Sequence, residues 1–469
     1  MLINTIYLRQ FLATNTACLI LFVCACWVAW PSSVNRKLSK SYDDKDHIGL
    51  RLDEVQITWV VSLLDLGNAV SPIFSSFIIN RIGRKNTLLL VSLFFLPTWL
   101  MVWDSSSLNY IYTARFLIGV SKGLAFTAVP VYISEIADHK IRGMLGSTGH
   151  TFMTLGLLFS LCVGPYISYQ SLNIIFSIIP LLFLALFVLM PETPYYYIMK
   201  EDYVAAEKSL KWFKPYEKNV KESLAKLVES HKEMDSGASY WALFSQSNTR
   251  IPLMIVTGVS FFQRLSGITA LVAYSSVTLP HLSFTSWFGP NECVIAFTLC
   301  MTITNLICAP FMDTLSRKIL LCTSIFCGII MMTLTSAYYY VYPVPSNSYK
   351  DLIPYVLFIL YGFTYLGMGN VPPLLPSEYF TTSQRSYASA VTSVALATGS
   401  FITSKFYLIV QKDCGSYFAF VIFALVHVVY LLFASKLVRE TQGKTFEEIQ
   451  AKFYKKSRAG AGELNNTQM

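Results

Sequence analysis

Charge is what this 469-residue chain has least of. Asp, Glu, Lys and Arg make up 13% of it, about half the roughly 25% a soluble domain carries, and so few charges cannot clothe a water-soluble surface. Also missing are any CxxC pair or Cys/His cluster with metal-ligand spacing, any catalytic triad spacing and any Gly-rich phosphate loop. Those absences leave no footing for a metal centre, a cofactor or an enzyme. Of the ten cysteines, eight (Cys18, Cys24, Cys26, Cys162, Cys300, Cys308, Cys322 and Cys327) fall inside apolar stretches, where a thiol behaves as a small hydrophobe. Cys293 and Cys414 fall at span ends on one side, so they are the pair a disulfide could join. Acid is scarcer than base, 27 residues against 36, for a net charge of +9. The excess sits in short segments between apolar runs and in the last thirty residues, a membrane-topology pattern and not a nucleic-acid-binding one.

What fills the chain instead is hydrophobic residue, 54% of the total. A spanning helix needs about 20 apolar residues to cross a core of roughly 30 Å. Runs of that length lie near 11–30, 57–79, 87–103, 110–132, 144–167 and 172–190, and again near 251–277, 293–312, 319–342, 352–375, 386–409 and 415–436. Phe11 to Trp30 follows Arg9 as a signal peptide would, but no small-residue cleavage site follows, so it reads as the first helix. The expected fold is an all-α membrane protein of twelve transmembrane helices in two pseudo-symmetric six-helix bundles. Residues 1–190 form the N-terminal bundle, 191–250 a cytoplasmic linker with short surface helices, 251–436 the C-terminal bundle and 437–469 a cytoplasmic tail. Val204 to Val228 alternates Lys and Glu in a helical rhythm, as a solvated linker face would.

Orientation follows from Lys and Arg. Arg81, Arg84 and Lys85, then Lys140 and Arg142, Arg317 and Lys318, Arg385 and the tail from Lys436 to Arg458 fall on one side by alternation, which places both termini in the cytoplasm and the chain in the plasma membrane. The loop from Ser32 to Gln56, with five basic and five acidic residues, faces outward. Asn465-Asn466-Thr467 matches a glycosylation acceptor, but on the cytoplasmic side it is expected to stay unused.

Three short signatures recur in the same order in both halves, as a duplication would leave them. Asn80-Arg-Ile-Gly-Arg84-Lys85 returns 233 residues later as Asp313-Thr-Leu-Ser-Arg317-Lys318. Glu135 with Arg142 returns 243 residues later as Glu378 with Arg385, and Glu192-Thr193 returns 248 residues later as Glu440-Thr441. Together they gather Arg and acid at helix ends on the basic side, where charge-assisted contacts can form. Such contacts either act as a gate between the bundles or anchor helix ends at the headgroups.

These signatures, with Arg115-Phe-Leu-Ile-Gly119, Pro130-Val-Tyr132-Ile-Ser-Glu135, Pro191-Glu192-Thr193-Pro194, Gln263-x-x-Ser-Gly267-Ile268 and Glu440-Thr441-x-Gly443-Lys444, resemble those of the sugar porters of the major facilitator superfamily. The resemblance spans nearly the whole chain, and within the family it is nearest to the insect facilitated trehalose transporters. It implies a facilitative carrier working by alternating access, in which Arg81, Arg84, Glu135, Arg142, Glu192, Asp313, Arg317, Glu378, Arg385 and Glu440 form a lock between the bundles. It also implies a sugar site at mid-membrane, mostly on the C-terminal half.

A sugar needs convergent amides and hydroxyls beside an apolar face. Gln263 matches the first glutamine of the family's Gln-Gln-x-Ser-Gly-Ile-Asn motif and leads the candidate contacts, with Arg264, Thr269, His150, Tyr365 and Asn370. Arg264 and Thr269 depart from the motif, and Leu396 and Ala397 stand where the family often has asparagine and tryptophan. Arg264 favours an anionic or strongly polar solute unless it snorkels or meets a carbonyl; Tyr365 suits packing as well as binding. Two further ionisable residues interrupt apolar spans, Asp65 about 12 Å and Lys122 about 18 Å below the outer ends at 1.5 Å per residue. They are expected to pair within the N-terminal bundle, with Asp65 as a proton-coupling carboxylate the sharper alternative. The first span has no Asp or Glu, where proton-coupled relatives commonly keep their acid, which favours facilitated diffusion. A non-transporting nutrient sensor and a carrier of a non-hexose solute stay open; a channel lacks a filter or charge ring. The partners implied are a small-molecule sugar and the lipid bilayer, with no nucleic acid and a monomer as the working unit.

Overall fold

The computed structural model describes residues 7–38, 50–104, 107–138, 141–216, 219–234, 240–245, 247–280, 282, 288–308, 315–343, 349–380, 382–442 and 448. Asp313, the Asn465-Asn466-Thr467 acceptor and the side chain of Arg142 lie outside that set.

Apolar runs become helices because lipid offers no hydrogen-bond partner, so each backbone group must be satisfied within its own segment. The N-terminal half holds α1 (Leu8–Leu38), α2 (Glu54–Ile82), α3 (Arg84–Asp104), α4 (Leu108–Ile136), α5 (Arg142–Val163) and α6 (Tyr169–Phe187). Four short helices follow, α7 (Pro194–Met199), α8 (Tyr203–Phe213), α9 (Val220–Met234) and α10 (Tyr240–Ser245). The C-terminal half holds α11 (Ser247–Leu265), α12 (Ile268–Thr278), α13 (Pro290–Cys308), α14 (Arg317–Val341), α15 (Ile353–Tyr379), α16 (Thr382–Cys414) and α17 (Ser416–Leu437). Among the described residues, eleven stretches are long and apolar enough to cross a membrane, α11 and α12 counting as one. With α5, 22 residues long, these make twelve spans, six in each half. Helix starts are set by side-chain caps: Ser107, Ser168 and Ser316 accept from the amides of Asn109, Ser171 and Ile319.

The packing order is duplicated. In the first half α1 packs on α5, α2 on α4, and α3 on α4 and α6; in the second, α11 packs on α16, α13 on α15, and α14 on α15 and α17. The halves meet along α2 with α16 and α5 with α13. Glycine lets backbones approach where the crossing is tightest. A Cβ on Gly119 of α4 would sit 2.1 Å from the Leu64 carbonyl of α2, and one on Gly367 of α15 would sit 2.2 Å from the Leu320 carbonyl of α14.

The seventh span is broken. Gly267, at φ 103°, turns the chain between α11 and α12, and a Cβ there would also meet the Phe423 ring at 2.8 Å. The break places Gln263 and Arg264 on the last turn of α11 and Thr269 on the first turn of α12. The linker helices carry the expected solvated pairs, Glu207–Lys211 and Glu222–Lys226, both at 2.8 Å. Below α8 the linker is tied to the first half, where Gln10 donates to the Phe213 carbonyl and Tyr216 to Asp138. The pairing of Cys293 with Cys414 does not occur: both are free thiols, and Cys293 is buried with its Sγ donating to the Tyr355 carbonyl.

Candidate functional site

The duplicated signatures fold into two matching clusters at the basic end of the bundle. In the first, Arg84 donates through Nε and Nη2 to Glu135 Oε1 at 3.1 and 2.8 Å, and the Thr193 hydroxyl donates to Glu135 Oε2 at 2.6 Å. The Lys85 and Thr193 amides then close on the Glu192 carboxylate at 2.9 and 2.8 Å. In the second, Arg317 Nε donates to Glu378 Oε1 at 3.3 Å and Thr441 to Glu378 Oε2 at 2.6 Å. The amides of Arg317, Lys318 and Thr441 close on Glu440, which also accepts from Ser316. Gly83, at φ 97°, is required in the first cluster, because a Cβ there would lie 2.3 Å from Glu192 Oε2.

These arginine–acid pairs join helices within one half; they do not join one half to the other. The lock between bundles expected from the signatures is therefore, among the described residues, a pair of intra-half clasps. Arg81 stands apart from them. Arg81 is exposed and lies over the Phe77 ring at 5.7 Å, and Arg385 is exposed and donates to the Ser377 carbonyl. The two clasps also differ electrostatically. Burial pushes the Glu192 carboxyl above the usual range despite the Thr193 and Lys85 amides and the Arg84 charge. At Glu440 burial pushes the same way but is outweighed by the Ser316 hydroxyl and the amides of Gln442, Lys318 and Arg317, which hold it low.

Mid-bundle, Asp65 Oδ1 lies 3.6 Å from Lys122 Nζ. The other carboxylate oxygen faces the second half, accepting from Ser400 at 2.8 Å and Ser404 at 3.4 Å on α16. Ser400 also reaches Thr269 at 3.0 Å. Two interior charges escape a reading by spans. Arg115, 1% exposed, donates to the carbonyls of Val60 at 2.8 Å and Trp27 at 2.7 Å and lies over the Trp30 ring. Lys405 of α16 donates to the Thr58 hydroxyl at 2.9 Å and sits 3.8 Å from the Trp59 ring centre. Their signal was an ionisable residue inside an apolar run, the same signal that marks Asp65.

The candidate sugar contacts form two groups. Gln263, 4% exposed, donates to Tyr365 Oη at 3.2 Å, and its Oε1 is buried without a partner. Opposite, Asn370 donates to Asn305 at 2.9 Å, and Asn305 and His150 Nε2 share a hydrogen bond at 3.0 Å that joins α13 to α5. Arg264 follows Gln263 on the last turn of α11, its carbonyl accepts from Thr403 of α16 at 3.1 Å, and its Nε is buried without a partner. Asn305 was missed because nothing local distinguishes one asparagine in an apolar run from a packing residue. A groove of about 680 Å³ lined by Tyr203, Glu207, Lys221 and Glu229 lies in the linker, apart from all these groups.

Among the described residues, polar links between the halves lie at the centre and at the end opposite the basic clasps. Asn35 donates to the Ala273 carbonyl at 3.2 Å, Tyr166 to Glu292 at 2.5 Å, and Lys412 pairs with Glu54 at 3.0 Å. The chain matches the family model "Sugar (and other) transporter" over residues 20–453. It is 31% identical over 413 residues to a facilitated trehalose transporter of Polypedilum vanderplanki, covering 86% of this chain and 80% of that protein. It is 30% identical over 432 residues to the Culex quinquefasciatus transporter of the same name, covering 91% and 83%. An inward-open structure of the xylose transporter XylE from E. coli superposes with a TM-score of 0.76 at 20% identity, over 95% of this chain and 99% of that one.

Proposed function

The chain belongs to the sugar transporter family, and from that premise we propose that it carries trehalose or a related di- or monosaccharide across the plasma membrane by facilitated diffusion. Transport alternates access to one central site, with 1–190 and 251–436 as the moving halves, 191–250 as the linker, 437–469 as a tail and the monomer as the working unit. The basic end is cytoplasmic, and both termini with it. The observation that carries this reading is the placement of the polar links between halves. Supporting it, His150 of α5 and Asn370 of α15 meet through Asn305 of α13, Thr269 of α12 and Asp65 of α2 meet through Ser400 of α16, and the polar links between halves among the described residues suit a state with the outer path shut. Gln263 Oε1 is buried without a donor, a group that a sugar hydroxyl completes. Uniport suits α1, which contains no Asp or Glu.

Uptake of labelled trehalose and glucose into liposomes holding the purified chain tests this. Saturable flux is expected, with Gln263→Ala weakening apparent affinity about threefold to tenfold, the worth of one neutral hydrogen bond. Linear, unsaturable uptake identical to empty liposomes sinks the carrier reading.

A further inference from the structure

The interior of the spans holds four cations, Arg115, Lys122, Arg264 and Lys405, and one acid, Asp65; every other Asp or Glu of the spans stands at a helix end. Charge in a low-dielectric interior is kept only where it is paired or fully hydrogen-bonded. Arg115 spends its donors on carbonyls of α1 and α2. Asp65 is engaged by Lys122, Ser400 and Ser404. Lys405 has the Thr58 hydroxyl and the Trp59 face. Arg264 alone has no such arrangement among the described residues: no ion pair joins it, and its Nε is buried without a partner.

Arg264 packs on α16, its carbonyl accepting from Thr403, one turn from the Ser400 that engages Asp65 and through it Lys122; two cations with one committed carboxylate leave a net positive site at the middle of the bundle. An oxyanion answers that chemistry. Guanidinium is the side chain best shaped to take a carboxylate or phosphate through two parallel N–H bonds. Immediately before it in the chain, Gln263 offers a buried carbonyl oxygen without a partner, the kind of group that holds a hydroxyl.

Resting on the carrier reading above, we propose that the preferred substrate is an anionic sugar, a sugar acid or sugar phosphate whose oxyanion is bound by Arg264 while its hydroxyls meet Gln263. Arg264 then selects for charge, and Lys122 adds a second positive field without contacting the ligand. Neutral sugar fits the hydroxyl contacts but leaves the guanidinium bare, and so binds less tightly.

The test compares labelled glucuronate, glucose 6-phosphate, glucose and trehalose in liposomes holding the full chain, beside thermal stabilisation of the purified protein by each. Glucuronate or glucose 6-phosphate should be carried with higher kcat/KM than glucose and should raise the melting temperature. In Arg264→Gln the ratio of anionic to neutral uptake should fall about tenfold to hundredfold, the worth of a charge-assisted bond, and Arg264→Lys should retain part of it. Which of the two anions wins identifies carboxylate or phosphate as the bound group. Competition in the unaltered protein asks the same question without a variant: glucuronate or glucose 6-phosphate should inhibit glucose uptake at concentrations where added trehalose does not. Neutral flux with no anion flux, inhibition or stabilisation overturns the charge inference and leaves the carrier standing. Anion stabilisation that vanishes in Arg264→Gln, with no sugar carried at all, keeps the site and overturns the carrier. Neither flux nor stabilisation overturns both.

Discussion

At the scale of single residues, the decisive groups are those whose charge the bilayer makes expensive. Asp65 and Lys122 were legible from the sequence because a carboxylate and an ammonium interrupt two apolar runs at similar depth, and the structure sets them 3.6 Å apart. That Asp65 also holds Ser400 and Ser404 was not legible, since the two serines follow it by more than 330 residues and look like any hydroxyls in a span. Removing one member of a buried pair strands the other, at about 3–5 kcal/mol. Asp65→Asn should therefore lower the melting temperature of the purified protein markedly, and Asp65→Asn with Lys122→Met should recover most of the loss. A double-mutant cycle checks it; strictly additive losses would mean the pair carries no coupling.

At the scale of elements, the helices are specified twice over, by hydropathy and by the glycines at their crossings. The α2–α4 crossing has no room for a side chain at Gly119, whose Cβ would sit 2.1 Å from the Leu64 carbonyl, and that carbonyl is backbone and cannot swing away. Gly119→Val should cost at least the roughly 1–3 kcal/mol of an overpacked core. Gly146 on α5 gives the control, since a Cβ there meets nothing within 4 Å, and Gly146→Ala should be neutral or slightly stabilising. Thermal melting of the two variants side by side decides it; equal losses would mean that crossing distance is not what Gly119 protects. The sequence shows that a glycine sits in each run. Only the crossing separates the two cases.

At the scale of the whole molecule, the duplicated clasps and the ties between halves do different work. The clasps, Arg84 with Glu135 and Arg317 with Glu378, lie inside their own halves and make each half rigid. The ties at the opposite end cross from half to half, and one of them, Glu54 with Lys412 at 3.0 Å, joins α2 to α16. A carrier that alternates must break these ties on every cycle. Glu54→Cys with Lys412→Cys should cross-link on mild oxidation and stop sugar flux, with full recovery in dithiothreitol and no effect of oxidant on either single variant. Undiminished flux in the cross-linked protein would rule out separation of α2 from α16.

The sequence by itself determined the number and order of the spans and the residues of both clasps. Each is written in local hydropathy or in short signatures repeated at nearly constant offset. Three things were decided only by tertiary structure: that the clasps close within halves, that Asp65 answers to α16, and that Arg264 is left without a counter-charge among the described residues. In lipid every charge must find its partner inside the protein, and which partner it finds depends on helices hundreds of residues away brought side by side.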